Sequence, residues 1–306
     1  MTFLNVNMVI IVTGATGFIG RYFTREALAA GNDVYCLVRD KKKAHEVFAA
    51  ERMPFLIEMP MEDYSRPIAE IKRADIFVHF AWSSTLKTLR NNGIAQNRNI
   101  EYCLDAVRLA ARLGCRLFMG MGSQAEYGAY EGFAVEDMCC RPNTEYGKAK
   151  LEAGRSSALL CNALGMKYLH ARIFSVFGPG DHENTLISQC LRNMRQNKDM
   201  ELSACAHLWN FLHVKDAARQ IYLLGCRALK DMQFSTDLFN VASKDTRVLR
   251  CFVEAIHVIS RSSSNLLFGE KNDMPPVSLN PSVTKAENYI NFISGSTFEE
   301  YITKMI

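Results

Sequence analysis

The chain has 306 residues, 48% of them hydrophobic, and a formal net charge of +4, enough apolar length for a large core in one long domain or a main domain with a smaller lobe. The charge is too small for this length to argue for nucleic acid, the ten cysteines contain no CxxC pair, and no apolar run nears the roughly 20 residues that cross a bilayer. Nucleic-acid binding, a metal centre, a disulfide framework and a membrane span are therefore not expected.

Residues 1–7 carry no positive charge followed by a cleavable apolar segment, so a cytoplasmic protein with reduced, mostly buried thiols is expected. From Met8 the pattern alternates. A β-branched run over 8–13 predicts a buried strand, stopped by Gly14 and followed by a helical pattern over 18–30. Next come a strand over 33–38, a helix over 41–50 opened by the solvated Lys41, Lys42 and Lys43, and a strand over 54–58. Strands over 74–80, 115–121 and 167–173 alternate with long helices over 94–113 and 144–165. This is the rhythm of parallel βαβ units, which right-handed crossovers wind into one sheet. After Gly178-Pro179-Gly180 the regularity fails: helices are expected over 184–197 and 214–228, short strands over 208–212 and 237–241, and Pro275, Pro276 and Pro281 mark loop. The expected fold is α/β, a Rossmann-type doubly wound parallel sheet over 1–178 with a smaller C-terminal substrate-binding lobe over 179–306, some of whose segments return to the sheet.

The first strand-to-helix turn reads Gly14-Ala15-Thr16-Gly17-Phe18-Ile19-Gly20. Gly14 permits the turn, Gly17 permits close backbone approach and Gly20 permits helix packing on the strand, while Thr16, Phe18 and Ile19 offer backbone groups to a dinucleotide pyrophosphate. At the tip of the second strand Arg39 favours a 2′-phosphate, because a guanidinium holds it by two parallel hydrogen bonds, and NADP(H) is the expected cofactor. If the adjacent Asp40 faced the ribose instead, with Arg39 stacked on adenine, the cofactor would be NAD. Tyr146 and Lys150, four apart on a helix, share one face, and a close ammonium is expected to favour the phenolate and bring proton transfer nearer neutrality. Ser123, ending the preceding strand, would bond the same carbonyl or alcohol oxygen.

With the runs 74–81, Gly122-Ser123-Gln124-Ala125-Glu126-Tyr127-Gly128, Arg172 to Asp181 and Trp209 to Asp216, these motifs make the chain, from residue 8 to roughly 220, resemble the extended short-chain dehydrogenase/reductases, in the NAD-dependent epimerase/dehydratase branch that acts on nucleotide sugars. The resemblance implies a catalytic Ser123, Tyr146 and Lys150, with Lys150 also on the nicotinamide ribose. It implies Phe80, Ala81, Trp82, Asn99 and Phe174 around the cofactor, and Ser123, Gln124 and Ser175 by the sugar. Helix surface for Asn99 and core packing for His213 are the plain alternatives.

Gln124 and Ala125 stand where family 4,6-dehydratases carry an Asp-Glu pair, which disfavours dehydration. With Arg39, this leaves reduction of a nucleotide-linked 4-keto-6-deoxyhexose at C4, ahead of 4-epimerisation with retained NAD and of a non-catalytic dinucleotide sensor or scaffold. Trp209 replaces a family arginine on the substrate pyrophosphate, for which Arg192 or Arg195 could substitute unless both are merely solvated. A homodimer through the two long helices, with Leu104, Val107, Leu151 and Leu159 on their apolar faces, is also implied.

Overall fold

A computed structural model of the chain describes residues 7–49, 52–85, 88–271 and 278–306, so Pro275 and Pro276 lie outside the described residues. The first half builds β1 (Val9–Thr13), α1 (Phe18–Ala29), β2 (Asp33–Val38), α2 (Lys41–Phe48), β3 (Phe55–Glu58), β4 (Ile76–His79), α3 (Gly93–Arg112), β5 (Leu117–Ser123), α4 (Glu145–Ala163) and β6 (Lys167–Ile173). Then follow β7 (Ser175–Phe177), α5 (Leu186–Arg195), β8 (Met200–Leu202), β9 (Leu208–His213), α6 (Val214–Lys230), β10 (Thr236–Val241), β11 (Thr246–Val248), α7 (Leu249–Ser260), β12 (Leu266–Phe268), α8 (Thr284–Ile290) and α9 (Phe298–Met305).

The main sheet has seven strands in the order β10-β6-β5-β4-β1-β2-β3, all parallel. The strands β1, β4 and β5 are almost wholly buried, as a sheet covered on both faces requires. One face packs under α1 and α6 through Phe23, Ile221, Leu224 and Phe239. The other packs under α3 and α4, where Phe77, Phe118 and Tyr168 form a stacked ladder across β4, β5 and β6, with centroids 5.4 and 6.2 Å apart.

The lobe has its own core of Phe177, Ile187, Phe211, Phe252 and Phe298, between a three-stranded sheet (β11-β9-β7), α5, α7 and α9. It is not a contiguous C-terminal half. Helix α6 packs on the main sheet and β10 joins it, pairing with β6 along its full length from Thr236↔Tyr168 to Val241↔Ile173.

Candidate active site

Strand order reverses between β1 and β4, and in a doubly wound sheet the crevice beyond the carboxyl ends of such strands takes the ligand. The turn after β1 closes there. Gly14 has φ +66°, and a Cβ on it would lie 2.7 Å from Ala81 N; a Cβ on Gly20 would lie 2.2 Å from Gly14 O. Only glycine lets strand, turn and helix approach this closely. Gly17 caps α1 without a side-chain acceptor, and no acidic residue stands in the helix's first turn. Its free N–H groups thus suit a pyrophosphate.

The other expected site residues gather along the same carboxyl edge of the sheet: Arg39 after β2, Phe80, Ala81 and Trp82 after β4, Ser123 and Gln124 at the end of β5, Phe174 and Ser175 after β6. Phe174 is only 4% exposed and packs on Tyr127, whereas Ser175 is half-buried. Asn99 is not helix surface. It is buried, its Oδ1 accepts from Ser83 N at 2.9 Å, and its Nδ2 donates to the Ser83 and Ala95 carbonyls. The side chain pins the loop that carries Trp82 to α3. Removing it as Asn99→Ala leaves half-buried Ser83 groups unpaired, and denaturant unfolding is expected to show a loss of about 1–3 kcal/mol.

Ser123 ends β5 in a reciprocal cap: its hydroxyl accepts from Ala125 N at 3.2 Å, and Glu126 accepts from Ser123 N at 2.8 Å. The Ser123 O–H is left over and faces the Tyr146 phenol, where its influence favours the phenolate. Tyr146 reaches it because α4 lies against the turn 124–126. A Cβ on Gly147 would lie 2.4 Å from Ala125 O, Thr144 caps the helix by accepting from Gly147 N, and Tyr146 N donates to Arg90 O at 2.9 Å.

The expected coupling of Tyr146 to Lys150 is corrected. Burial pushes the Tyr146 phenol up from its ordinary value, against the opposing influence of the Ser123 hydroxyl and Arg90. Lys150 Nζ stands 5.9 Å from the Tyr146 ring centroid and donates to Met121 O at 2.8 Å. The nearer cation is Arg90, 5.0 Å from the phenol ring centroid, a residue the motifs did not reveal. Burial lowers Lys150 to about 8.

Beneath Ser123 lies a second unforeseen group. Glu126, fully buried, accepts from His170 Nε2 at 3.0 Å and from Arg172 Nε at 2.7 Å. Burial alone would raise its carboxyl, but His170 and Arg172 outweigh that and bring it to about 2. Since a carboxylate only accepts, Nε2 donates the His170 proton toward it, and Nδ1 shares a hydrogen bond with the Tyr168 hydroxyl at 2.8 Å.

In the lobe, His213 is a core and capping residue: it accepts from Lys215 N at the start of α6 and stacks on Tyr301 at 3.7 Å. Arg195, exposed on α5, donates from Nη2 to the Met305 and Ile306 carbonyls. Arg192 stays exposed, donating to Glu183 O at 3.4 Å, and Trp209 is half-buried against His207 and Phe211.

A glycine turn at the switch point of such a sheet, with serine, tyrosine and lysine on the same edge, is the architecture of the extended short-chain dehydrogenases/reductases. Within that class the chain belongs to the NAD dependent epimerase/dehydratase family, whose sequence profile matches residues 10–242. Similar proteins include the dTDP-6-deoxy-L-talose 4-dehydrogenase (NAD(+)) of Aggregatibacter actinomycetemcomitans, 23% identical over 251 residues, 81% of this chain and 88% of that protein. The ADP-L-glycero-D-manno-heptose-6-epimerase of Pseudomonas aeruginosa is 26% identical over 292 residues, 90% of this chain and 83% of its own. A solved UDP-N-acetylglucosamine 4-epimerase from Methanobrevibacter ruminantium M1, in complex with UDP-N-acetylmuramic acid, shares the fold at TM-score 0.84, with 18% identity over 97% of this chain and 96% of that one. Among the described residues no helix is long and apolar enough to cross a membrane, and no cluster of three metal-ligating side chains occurs.

Proposed function

We propose that the chain is a cytoplasmic reductase that converts the ketone of a nucleotide-linked 4-keto-6-deoxyhexose to an alcohol at C4. The observation that carries this is the Ser123–Tyr146 pair beside a turn, Gln124 and Ala125, that offers no carboxylate for dehydration. The relative from Aggregatibacter is named for the reverse oxidation at C4 of a dTDP-6-deoxyhexose, which supports the same substrate class.

Hydride is supplied by the nicotinamide when it is bound. The protein's own part is positioning and proton transfer. Ser123 and Tyr146 would both donate to the ketone oxygen. Tyr146 keeps its proton at neutral pH because burial raises its pKa, so it stands ready as the acid that neutralises the growing alkoxide. Lys150 would hold the nicotinamide ribose, while Arg192, Ser175 and Trp209 are the candidates around the nucleotide diphosphate. In a homodimer through α3 and α4, Leu159, 73% exposed, would be covered; Val107 is already buried.

NADP(H) remains the favoured cofactor. Asp40 uses its carboxylate to cap α2, accepting from Lys43 N at 3.0 Å, and the first turn of α2 carries three lysines and no acid. Arg39, exposed at that turn, is free to meet a 2′-phosphate. Charge-assisted bonds of this kind contribute about 1.5–3 kcal/mol, so Arg39→Ser is expected to raise the KM for NADPH by roughly 10–100-fold with little change for NADH. An equal effect on both would move Arg39 off the 2′-phosphate and favour the NAD that the Aggregatibacter relative's name specifies.

The deciding experiment incubates the purified chain with nucleotide-linked 4-keto-6-deoxyhexoses and reduced cofactor. Cofactor oxidation in step with loss of the ketosugar is expected. An isomerised sugar without net oxidation, with NAD retained through purification, would instead establish a 4-epimerase, the reading favoured by the likeness to solved 4-epimerases. Dinucleotide binding without turnover across the panel would make the chain a sensor or scaffold.

A further inference from the structure

A buried lysine ammonium needs a partner, and among the described residues no carboxylate pairs with Lys150. Its Nζ instead lies 3.7 Å from the centroid of the Trp82 ring. The same indole meets Tyr146 edge to face, centroids 6.2 Å apart at 84°. Its own orientation is fixed from outside the site: Trp82 Nε1 donates to Gln96 Oε1 at 2.9 Å, and Gln96, fully buried on α3, donates from Nε2 to Ser84 O.

Resting on the proton-transfer reading above, we propose that Trp82 is a positioning residue for Lys150, whose indole face holds the ammonium in place of a carboxylate. The choice of partner has chemical sense. An ammonium has three donors; one is taken by Met121 O and one faces the ring, which leaves the third for a cofactor hydroxyl. A carboxylate in the same place would also repel a phosphorylated cofactor and raise Tyr146 further, whereas an aromatic face stabilises the cation without adding a negative charge.

The titratable groups facing Lys150 come from four elements: His79 on β4, Cys103 on α3, Glu126 after β5 and Tyr146 on α4, with Arg90 over the Tyr146 ring. Burial and the Lys150 charge bring His79 down to about 3, burial pushes the Cys103 thiol and the Tyr146 phenol up, and Glu126 stands at about 2. Over the range about pH 7 to 9, Lys150 is the member of this group whose charge changes.

The chain has two tryptophans, so Trp209→Phe leaves Trp82 as the sole tryptophan, excited selectively on the red edge of the indole band. In that full-length variant the emission is expected to titrate with a midpoint of about 8, the value burial gives Lys150, and the transition should vanish on adding Lys150→Met. In turnover, Trp82→Leu is expected to move the alkaline limb of kcat about one unit lower, because the ammonium loses its stabilising face, while Trp82→Phe restores the limb. Circular dichroism checks that each variant is folded. Emission that is flat, or that titrates unchanged in Lys150→Met, overturns the proposal, as does a folded Trp82→Leu with the wild-type limb. The emission titration needs no substrate, so failure of the ketosugar assay would overturn the reaction and leave this result standing.

Discussion

Replacing Tyr146 with Phe is expected to cut kcat by about 10³-fold or more, within the range that positioned acids contribute, while dinucleotide affinity stays nearly unchanged. The substitution takes away the hydroxyl beside Ser123 that would donate to the forming alkoxide, and little else. The ring keeps its edge contact with Trp82 and its place under Arg90, the helix keeps its Thr144 cap, and the glycine turn that would take the pyrophosphate is on β1 and α1, a separate part of the edge. Steady-state kinetics with a ketosugar, beside a fluorescence titration of the reduced cofactor, separates the two quantities. Turnover retained in the variant would sink the role given to Tyr146.

Replacing Glu126 with Ala should have the largest effect on stability. The carboxylate is fully buried and holds together Ser123 N, His170 and Arg172. Its removal leaves the Arg172 guanidinium, itself 4% exposed, without the charge that offsets its burial. Breaking one side of a buried pair costs about 3–5 kcal/mol, readable as a lower urea midpoint. The pH dependence has a definite sign. The Glu126 carboxyl is depressed in the fold from an ordinary 4.5 to about 2, so the stabilisation it brings is fully present above about 4.5 and is lost as pH falls through about 2. The stability gap between wild type and Glu126→Gln should therefore narrow over that acid range and be constant from pH 5 to neutrality. A gap independent of pH throughout would mean that Glu126 acts by shape and not by charge.

Much of the fold is legible because the parallel strands are apolar runs at regular intervals, and because the glycines at 14, 17 and 20 mark a tight passage from strand to helix. The edge that gathers Arg39, Trp82, Ser123 and Tyr146 follows from that order of strands. Other parts leave no local trace. Glu126 sits in the sequence as a single acid before Tyr127, and its partners His170 and Arg172 lie 44 and 46 residues away on the next strand, brought near only by the register of β5 against β6. Gly147 looks like one more small helical residue until Ala125 O is placed against it. The expected pull of Lys150 on the phenol failed because spacing on a helix fixes the face and not the separation, and because burial opposes the phenolate more strongly than a cation beyond hydrogen-bonding reach can favour it. In the lobe, β7, β8, β11 and β12 are three residues each, too short for any period to register.

The return of β10 to the edge of the main sheet bears on how the chain comes into being. Until residues 236–241 emerge during synthesis, β6 has one flank of backbone N–H and C=O groups open, and most of its side chains already belong to the core. Asn240 closes that flank from within, accepting from the Tyr127 hydroxyl at 2.6 Å and donating to Ala134 O at 2.9 Å, so even the segment between Ser123 and Tyr146 takes its final shape only then. Everything from β7 to the end of α6 must be made before the sheet can finish. Such late, long-range closure makes folding slow and leaves an aggregation-prone edge on the nascent protein, and the two halves cannot be cut apart at residue 178 and expected to fold alone.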